Sequence, residues 1–123
     1  MKTNRTAIKI ALMILAVFIP FQTYAYDFNQ DGIYYNILSE EDQTLEVTFP
    51  YDEIEDLIEK GNTYEGEIII PTHVLHNHKT YRVVAISMFT FWGCEELTSV
   101  SIPASITEIG VDAFGRKPEP HRR

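Results

Sequence analysis

From Glu65 onward the chain can be laid upon itself, and this self-similarity restricts its fold more than any other feature. One unit reads Leu97-x-x-Val100-x-Ile102-Pro103 and continues Ile106-x-x-Ile109-Gly110-x-x-Ala113-Phe114. Its predecessor reads Ile68-x-Ile70-Pro71, then Val74, then Val83-x-x-Ile86-Ser87-x-x-Thr90-Phe91. The halves match at two different offsets. Ile86 to Ile109 and Phe91 to Phe114 are each 23 residues, whereas Ile70 to Ile102 and Pro71 to Pro103 are each 32. The nine surplus residues fit an insertion between Val74 and Val83, which then share the slot that Ile106 fills in the second unit. An excursion of that length predicts a hairpin over residues 75–82.

The residue types follow from a coil that must bury one side of itself. Val100 and Ile102 alternate inward from a short strand, and Pro103 ends that strand by withholding an N–H. Ile106 and Ile109 are expected to bury on the return leg. Gly110 turns the chain where a side chain would clash or where a positive φ is required, and Ala113 leaves room for Phe114 in the coil interior. One coil alone has too small a core, but stacked coils bury a continuous one. Ile86 and Ile109 are therefore expected on neighbouring rungs, as are Phe91 and Phe114.

A period of 23 lies inside the roughly 20–29 residue range of leucine-rich repeats. The string from Cys94 through Leu97, Val100, Ile102, Pro103, Ile106, Ile109, Gly110 and Ala113 to Phe114 resembles the repeat of the BspA-like leucine-rich-repeat family of bacterial cell-surface proteins. The Asp-Gly-Ile-Tyr-Tyr strand from Asp31, the Tyr64-x-Gly66 segment running to Ile70-Pro71, and the Lys79-Thr80-Tyr81 turn are similar to that family's N-terminal capping region. The resemblance implies a surface or secreted protein that binds other macromolecules. Two departures stand out. Ser87 and Thr90 replace the small Gly and Ala of the motif, and bulky Trp92 beside Phe91 predicts an irregular coil. After Phe114 the pattern stops, and residues 115–123 are basic, Pro-containing and almost devoid of apolar side chains. Such a tail cannot seal the last coil, so the expectation is either a truncated reading frame or an open end that pairs with something.

Ahead of the repeats, residues 33–38 and 44–49 are β-branched and aromatic runs separated by the acidic stretch 39–43, which predicts a hairpin. In the second run Leu45, Val47 and Phe49 point one way while Thr44, Glu46 and Thr48 point the other. Residues 52–60 predict one short helix, with Asp52 as N-cap, Glu55 three residues on, Ile54, Leu57 and Ile58 on one face, and Gly61 as stop. The fold class is thus mainly β: a short repeat solenoid over residues 65–114 behind an N-terminal β-hairpin cap over residues 26–64.

The first 25 residues have the order of a secretory signal peptide. Lys2, Arg5 and Lys9 precede an apolar run ending at Pro20, and Thr23 and Ala25 place cleavage after Ala25. The apolar run is well short of the ~20 residues that span a bilayer. The whole chain carries net charge −8, and losing this leader removes three of its ten basic residues and none of its eighteen acidic ones. Nucleic acid and anionic membranes are poor partners for such a surface. Cys94 is the single cysteine, so no intrachain disulfide is available, and the thiol either fills apolar space or links two chains.

Candidate sites are few. Asp27-x-Asn29-x-Asp31-Gly32 opens like a calcium loop, but the twelfth position is Leu38 where a bidentate Glu is required. His73, His76 and His78 lie close enough in sequence for a hairpin to bring two imidazoles to one transition metal, although a further ligand would be needed. The carboxylates Glu40, Glu41 and Asp42 and those of residues 52–59 read as a solvated turn and helix face. No nucleophile elbow, phosphate loop or His-Glu-x-x-His occurs, so neither catalytic residues nor a cofactor are expected. The reading is an exported binding module whose partner is a protein or a glycan at the bacterial surface. The alternatives are a structural fragment of a longer solenoid that self-associates through its open coil and, more remotely, a hydrolase.

Overall fold

A computed structural model describes residues 26–116. The expected leader and the tail beyond Arg116 lie outside the described residues. In chain order the elements are β1 Phe28–Gln30, β2 Ile33–Ser39, β3 Thr44–Thr48, α1 Ile54–Lys60, β4 Gly66–Ile69, β5 His73–His76, β6 Lys79–Ile86, β7 Leu97–Ser101 and β8 Glu108–Ile109. One sheet runs β1-β2-β3-β6-β5 with β8 also against β6, and a second pairs β4 with β7.

Both repeat offsets reappear as strand register. β7 lies parallel to β4 with Ile68 opposite Val100, the spacing of 32, and β8 lies parallel to β6 with Ile86 opposite Ile109, the spacing of 23. Between these strands the ladder continues through irregular backbone. The amides of Thr107 and Gly110 donate to the carbonyls of Val84 and Ile86, and those of Phe89, Phe91 and Gly93 donate to Val111, Ala113 and Gly115. The Phe91 and Phe114 rings stack with centroids 5.2 Å apart and planes 19° from parallel. Neighbouring coils thus share hydrogen bonds and a ring stack, which is how a unit too small to hold its own core acquires one.

The turns show what each coil demands of its backbone. Phe89 and Asp112, 23 residues apart, both adopt positive φ, at 59° and 53°. Gly110 does not, so its role is close approach alone: a Cβ built there would stand 2.3 Å from the backbone nitrogen of Met88.

The cap supplies the rung beneath the first coil. β3 pairs antiparallel with β2 and parallel with β6, so Leu45 sits opposite Val83 and Val47 opposite Ile86. Leu45 and Val47 are fully buried. Thr48, expected on the wet face, is also buried, because its carbonyl accepts the Tyr64 hydroxyl and its own hydroxyl meets Ser87. The calcium-like opening is in fact β1 and a two-residue turn. Asp31 and Gly32 both have positive φ, the requirement of a tight hairpin, and β1 then pairs with β2.

Three expectations change. The helix begins at Ile54 after Glu53, and no side chain caps it. It buries Leu57, but Ile58 remains exposed, so the docked face is narrower than its apolar spacing suggested. The inserted hairpin starts earlier than residue 75: His73 pairs with Arg82 and His76 with Lys79 around an Asn77-His78 turn, because the Val83 amide closes the base onto the Thr72 carbonyl at 2.9 Å. Lastly, the second coil is buried only in part: Ala113 is buried and Val100 and Ile106 pack on the core, but three positions expected inward stay exposed. Ile70, Ile86 and Phe91 are 3%, 1% and 3% exposed, whereas Ile102, Ile109 and Phe114 are 41%, 53% and 44% exposed. The first coil is covered by the second. Among the described residues nothing covers the second.

Candidate interaction surface

The β4–β7 pair presents one row of side chains outward and one inward, as a strand's two-residue period dictates. Ile68 and Val100 pack toward the core, while Glu67 opposite Ser99 and Ile69 opposite Ser101 face away from it. Ile69, the last residue of β4, is 63% exposed at the end of this otherwise polar row.

Beside the start of both strands runs an open groove of about 460 Å³ between residues 61–65 and 92–96. Half-buried Trp92 forms one wall, and the exposed carboxylates of Glu65, Glu95 and Glu96 lie around it. Its sides are fixed by hydrogen bonds rather than by regular structure. The Asn62 side-chain amide donates to the Thr90 carbonyl at 2.6 Å, and the Asn62 Oδ1 accepts the Thr63 amide at 2.8 Å. Next to it Tyr64 is buried, its hydroxyl donating to the Thr48 carbonyl at 2.7 Å and accepting the Tyr34 amide at 2.9 Å. Burial holds that phenol well above its ordinary pKa, so it stays a neutral two-way bridge. Spacing gave no hint of this groove, since Asn62 belongs to no repeat position. An Asn-Thr-Tyr run after a helix stop is its only local signal.

Trp92, expected to mark an irregular coil, keeps the ladder. Its neighbour Gly93 bonds to Gly115, and the indole edge lies against the Phe89 ring at 6.4 Å between centroids. The indole is accommodated because Gly115 faces it: a Cβ there would come within 2.7 Å of the ring.

The other sequence candidates are drawn into local contacts. One carboxylate oxygen of Asp27 accepts the Ile37 amide at 2.7 Å. His73 and His76 sit three residues apart on β5 and so project to opposite faces: His76 stacks on Phe28 with centroids 3.7 Å apart, while His73 is exposed. His78 occupies the exposed hairpin turn. Among the described residues no group of three or more His, Cys, Asp or Glu side chains converges in a way that could hold a metal. Glu40 accepts the Tyr81 hydroxyl, and Asp56 pairs with Lys60 one helical turn on. Cys94 is half-buried against the core, where desolvation pushes its thiol up to about 11. A thiol so placed is mostly protonated near neutrality and a weak nucleophile.

Two solved structures resemble this chain. A leucine-rich repeat protein from Bacteroides ovatus is 34% identical over 72% of the chain, with a TM-score of 0.55. This is a leucine-rich-repeat fold. A leucine-rich cell surface protein from Faecalibacterium prausnitzii is 29% identical over 71% of the chain, with a TM-score of 0.51. The likeness supports a leucine-rich-repeat family for the chain. The chain spans about one fifth of the length of each of these leucine-rich-repeat structures, 21% and 20%. No protein-family model and no curated protein matches it.

Proposed function

We propose that this chain is an exported, non-catalytic binding module of the BspA-like leucine-rich-repeat kind, and that it docks another protein at the bacterial surface through the β4–β7 face and the adjoining Trp92 groove. The observation that carries the reading is the outward row of that sheet. Ile69 is left 63% exposed where the core has no use for it, among side chains held in fixed register by the parallel ladder. A rigid strand face with one exposed apolar side chain, polar neighbours and an aromatic-walled groove beside its start has features of a protein-docking patch. A macromolecular partner suits it better than a small substrate, because the groove is open rather than enclosing. The description of the Faecalibacterium structure as a cell surface protein supports the proposed location, as does the leader expected over residues 1–25. The domain limits proposed are a cap over 26–64, coils over 65–114 and a polar tail.

The test is affinity capture from host-matrix and mucosal protein extracts, followed by binding assays with the purified candidate. The same partner is expected to bind the unaltered chain and to be lost with Ile69→Asp and Trp92→Ala. A partner bound equally by both variants, or retention only on glycan arrays, would overturn the assignment.

A further inference from the structure

We propose that the Trp92 groove takes an arginine side chain from a basic segment of the partner, the guanidinium lying on the indole and its N–H fork reaching the surrounding carboxylates. The inference rests on the docking role given to this groove and names the chemistry of what docks there. Its walls come from two stretches already joined to each other. Residues 61–65 lead into β4 and residues 92–96 lead into β7, and the Gly66 amide donates to the Glu96 carbonyl at 2.8 Å between them. The groove is therefore complete within the described residues, and its shape does not depend on what lies further along the chain.

Glu65, Glu95 and Glu96 line it, and all three are exposed. Glu67 continues the same charge along the outward row of β4, opposite Ser99. Among the described residues none of the four has a cationic partner. Lys60, the nearest lysine in sequence, is turned to Asp56 at 3.3 Å and stands over the Tyr51 ring, and the remaining ion pair joins Lys79 to Glu40. Exposed acids alone mark no site, because solvent screens them and a surface ion pair is worth little. The indole changes that. Half-buried Trp92 forms a wall of the groove, and an indole face is the best aromatic partner for a cation. Of the two basic side chains the guanidinium fits better. It is planar and lies flat on a ring, it is more weakly hydrated than an ammonium, and its donors can meet two carboxylates at once. An anionic ligand would be repelled, and an aliphatic one would strip water from the carboxylates without replacing it. Asn62 and Tyr64 hold one wall through their bonds to Thr90, Thr48 and Tyr34, so the ordering cost falls mainly on the partner.

Trp92 is the single tryptophan of the chain, so its fluorescence reports from the site itself. The experiment titrates the full 123-residue chain with a tetra-arginine, a tetra-lysine and a neutral tetra-glutamine peptide. A saturable change in Trp92 emission is expected with the arginine peptide, binding at least about fivefold weaker with the lysine peptide, and none with the glutamine peptide. Glu95→Gln together with Glu96→Gln, at exposed positions, should weaken arginine binding about tenfold at low salt and leave the thermal melt unchanged. Trp92→Ala, followed by calorimetry, should abolish the preference for arginine over lysine, whereas Glu41→Gln in the β2–β3 turn should change nothing. Equal affinity for the two basic peptides, no saturable change, or unaltered affinity in the double variant would overturn the proposal. So would binding that emerges only once residues 117–123 are removed, since the groove would then belong to the chain's own Lys117, Arg122 or Arg123. In each of those cases a captured partner that is still lost with Ile69→Asp and Trp92→Ala would leave the docking role standing without its basic class.

Discussion

The hydroxyl of Thr90 stands 3.1 Å from the carbonyl of Val47, and this contact ties the first repeat coil to the cap strand beneath it. Thr90 is fully buried, at the position where the second coil has Ala113. Ser87, which stands where the second coil has Gly110, lies 2.8 Å from the Thr90 hydroxyl and 3.1 Å from that of Thr48. Both departures from the repeat pattern therefore fall at one joint, where the neighbour below is β3 instead of another coil. Thr90→Val keeps the shape and removes the hydroxyl. It should cost about 1–2 kcal/mol, since Val47 retains the Ser87 amide but the buried network loses its centre. Urea unfolding of the variant measures this, and an unchanged midpoint would show the joint to be held by packing alone.

Gly110 is a stricter position than Ser87. A methyl group there meets Met88 and Ser87 backbone atoms at 2.3 to 2.8 Å, and backbone cannot swing aside as a side chain can. Gly110→Ala must push the two coils apart and stretch the Gly110-to-Ile86 bond. A loss of about 3 kcal/mol is expected, towards the upper end of what overpacking costs. Ser87→Ala, by comparison, should cost no more than about 1.5 kcal/mol, the scale of one lost hydrogen bond. Parallel thermal melts of the two variants test the ranking.

Alkaline pH should loosen the fold. Burial raises the Tyr35 phenol from its ordinary 10 to about 12, moves Tyr64 in the same direction, and lifts the Cys94 thiol from 9 to about 11. Each group is held neutral in the folded chain, so the unfolded chain releases its proton first. Their contribution is complete below pH ~9 and is lost as pH climbs through about 11 to 12. Unfolding midpoints that stay level from pH 8 to pH 12 would contradict the burial seen here. Alkylation of Cys94 should likewise be slow at pH 8 and quicken only as that fold loosens.

The core of this architecture is visible in its apolar spacing because stacking fixes identical side chains at identical heights. The offsets of 23 and 32 are the ladder registers of Ile86 with Ile109 and of Ile68 with Val100. What spacing hides is the rung that is not a repeat. β3 meets β6 at a register that shifts by one residue between Leu45 and Glu46, so Leu45 and Val47 carry no signature shared with Val83 and Ile86. Exposure at Ile102, Ile109 and Phe114 is not written in the repeat spacing, which states where a side chain points and not whether anything covers it; its sequence sign is the apolar-poor stretch after Phe114. The Trp92 groove joins residues 61–65 to 92–96, and adjacency of that kind comes from folding, with no periodic trace in the chain. The histidines fail as a group for a simpler reason: β5 is a strand, and a spacing of three sends His73 and His76 to opposite sides.

The hairpin of β5 and β6 departs from the repeat after Thr72 and rejoins it at Val83; its base stays in the core through Val74 and Tyr81, and its Asn77-His78 tip is exposed. Chain length at that place is uncoupled from the pitch of the solenoid. Residues added at the Asn77-His78 tip would hang from the side of the column like a bracket, and lengthening the bracket would move no floor of the building. A grafted peptide or reporter loop at the tip would ride on the scaffold while the spacing of its rungs, and the faces they present, stay as they are.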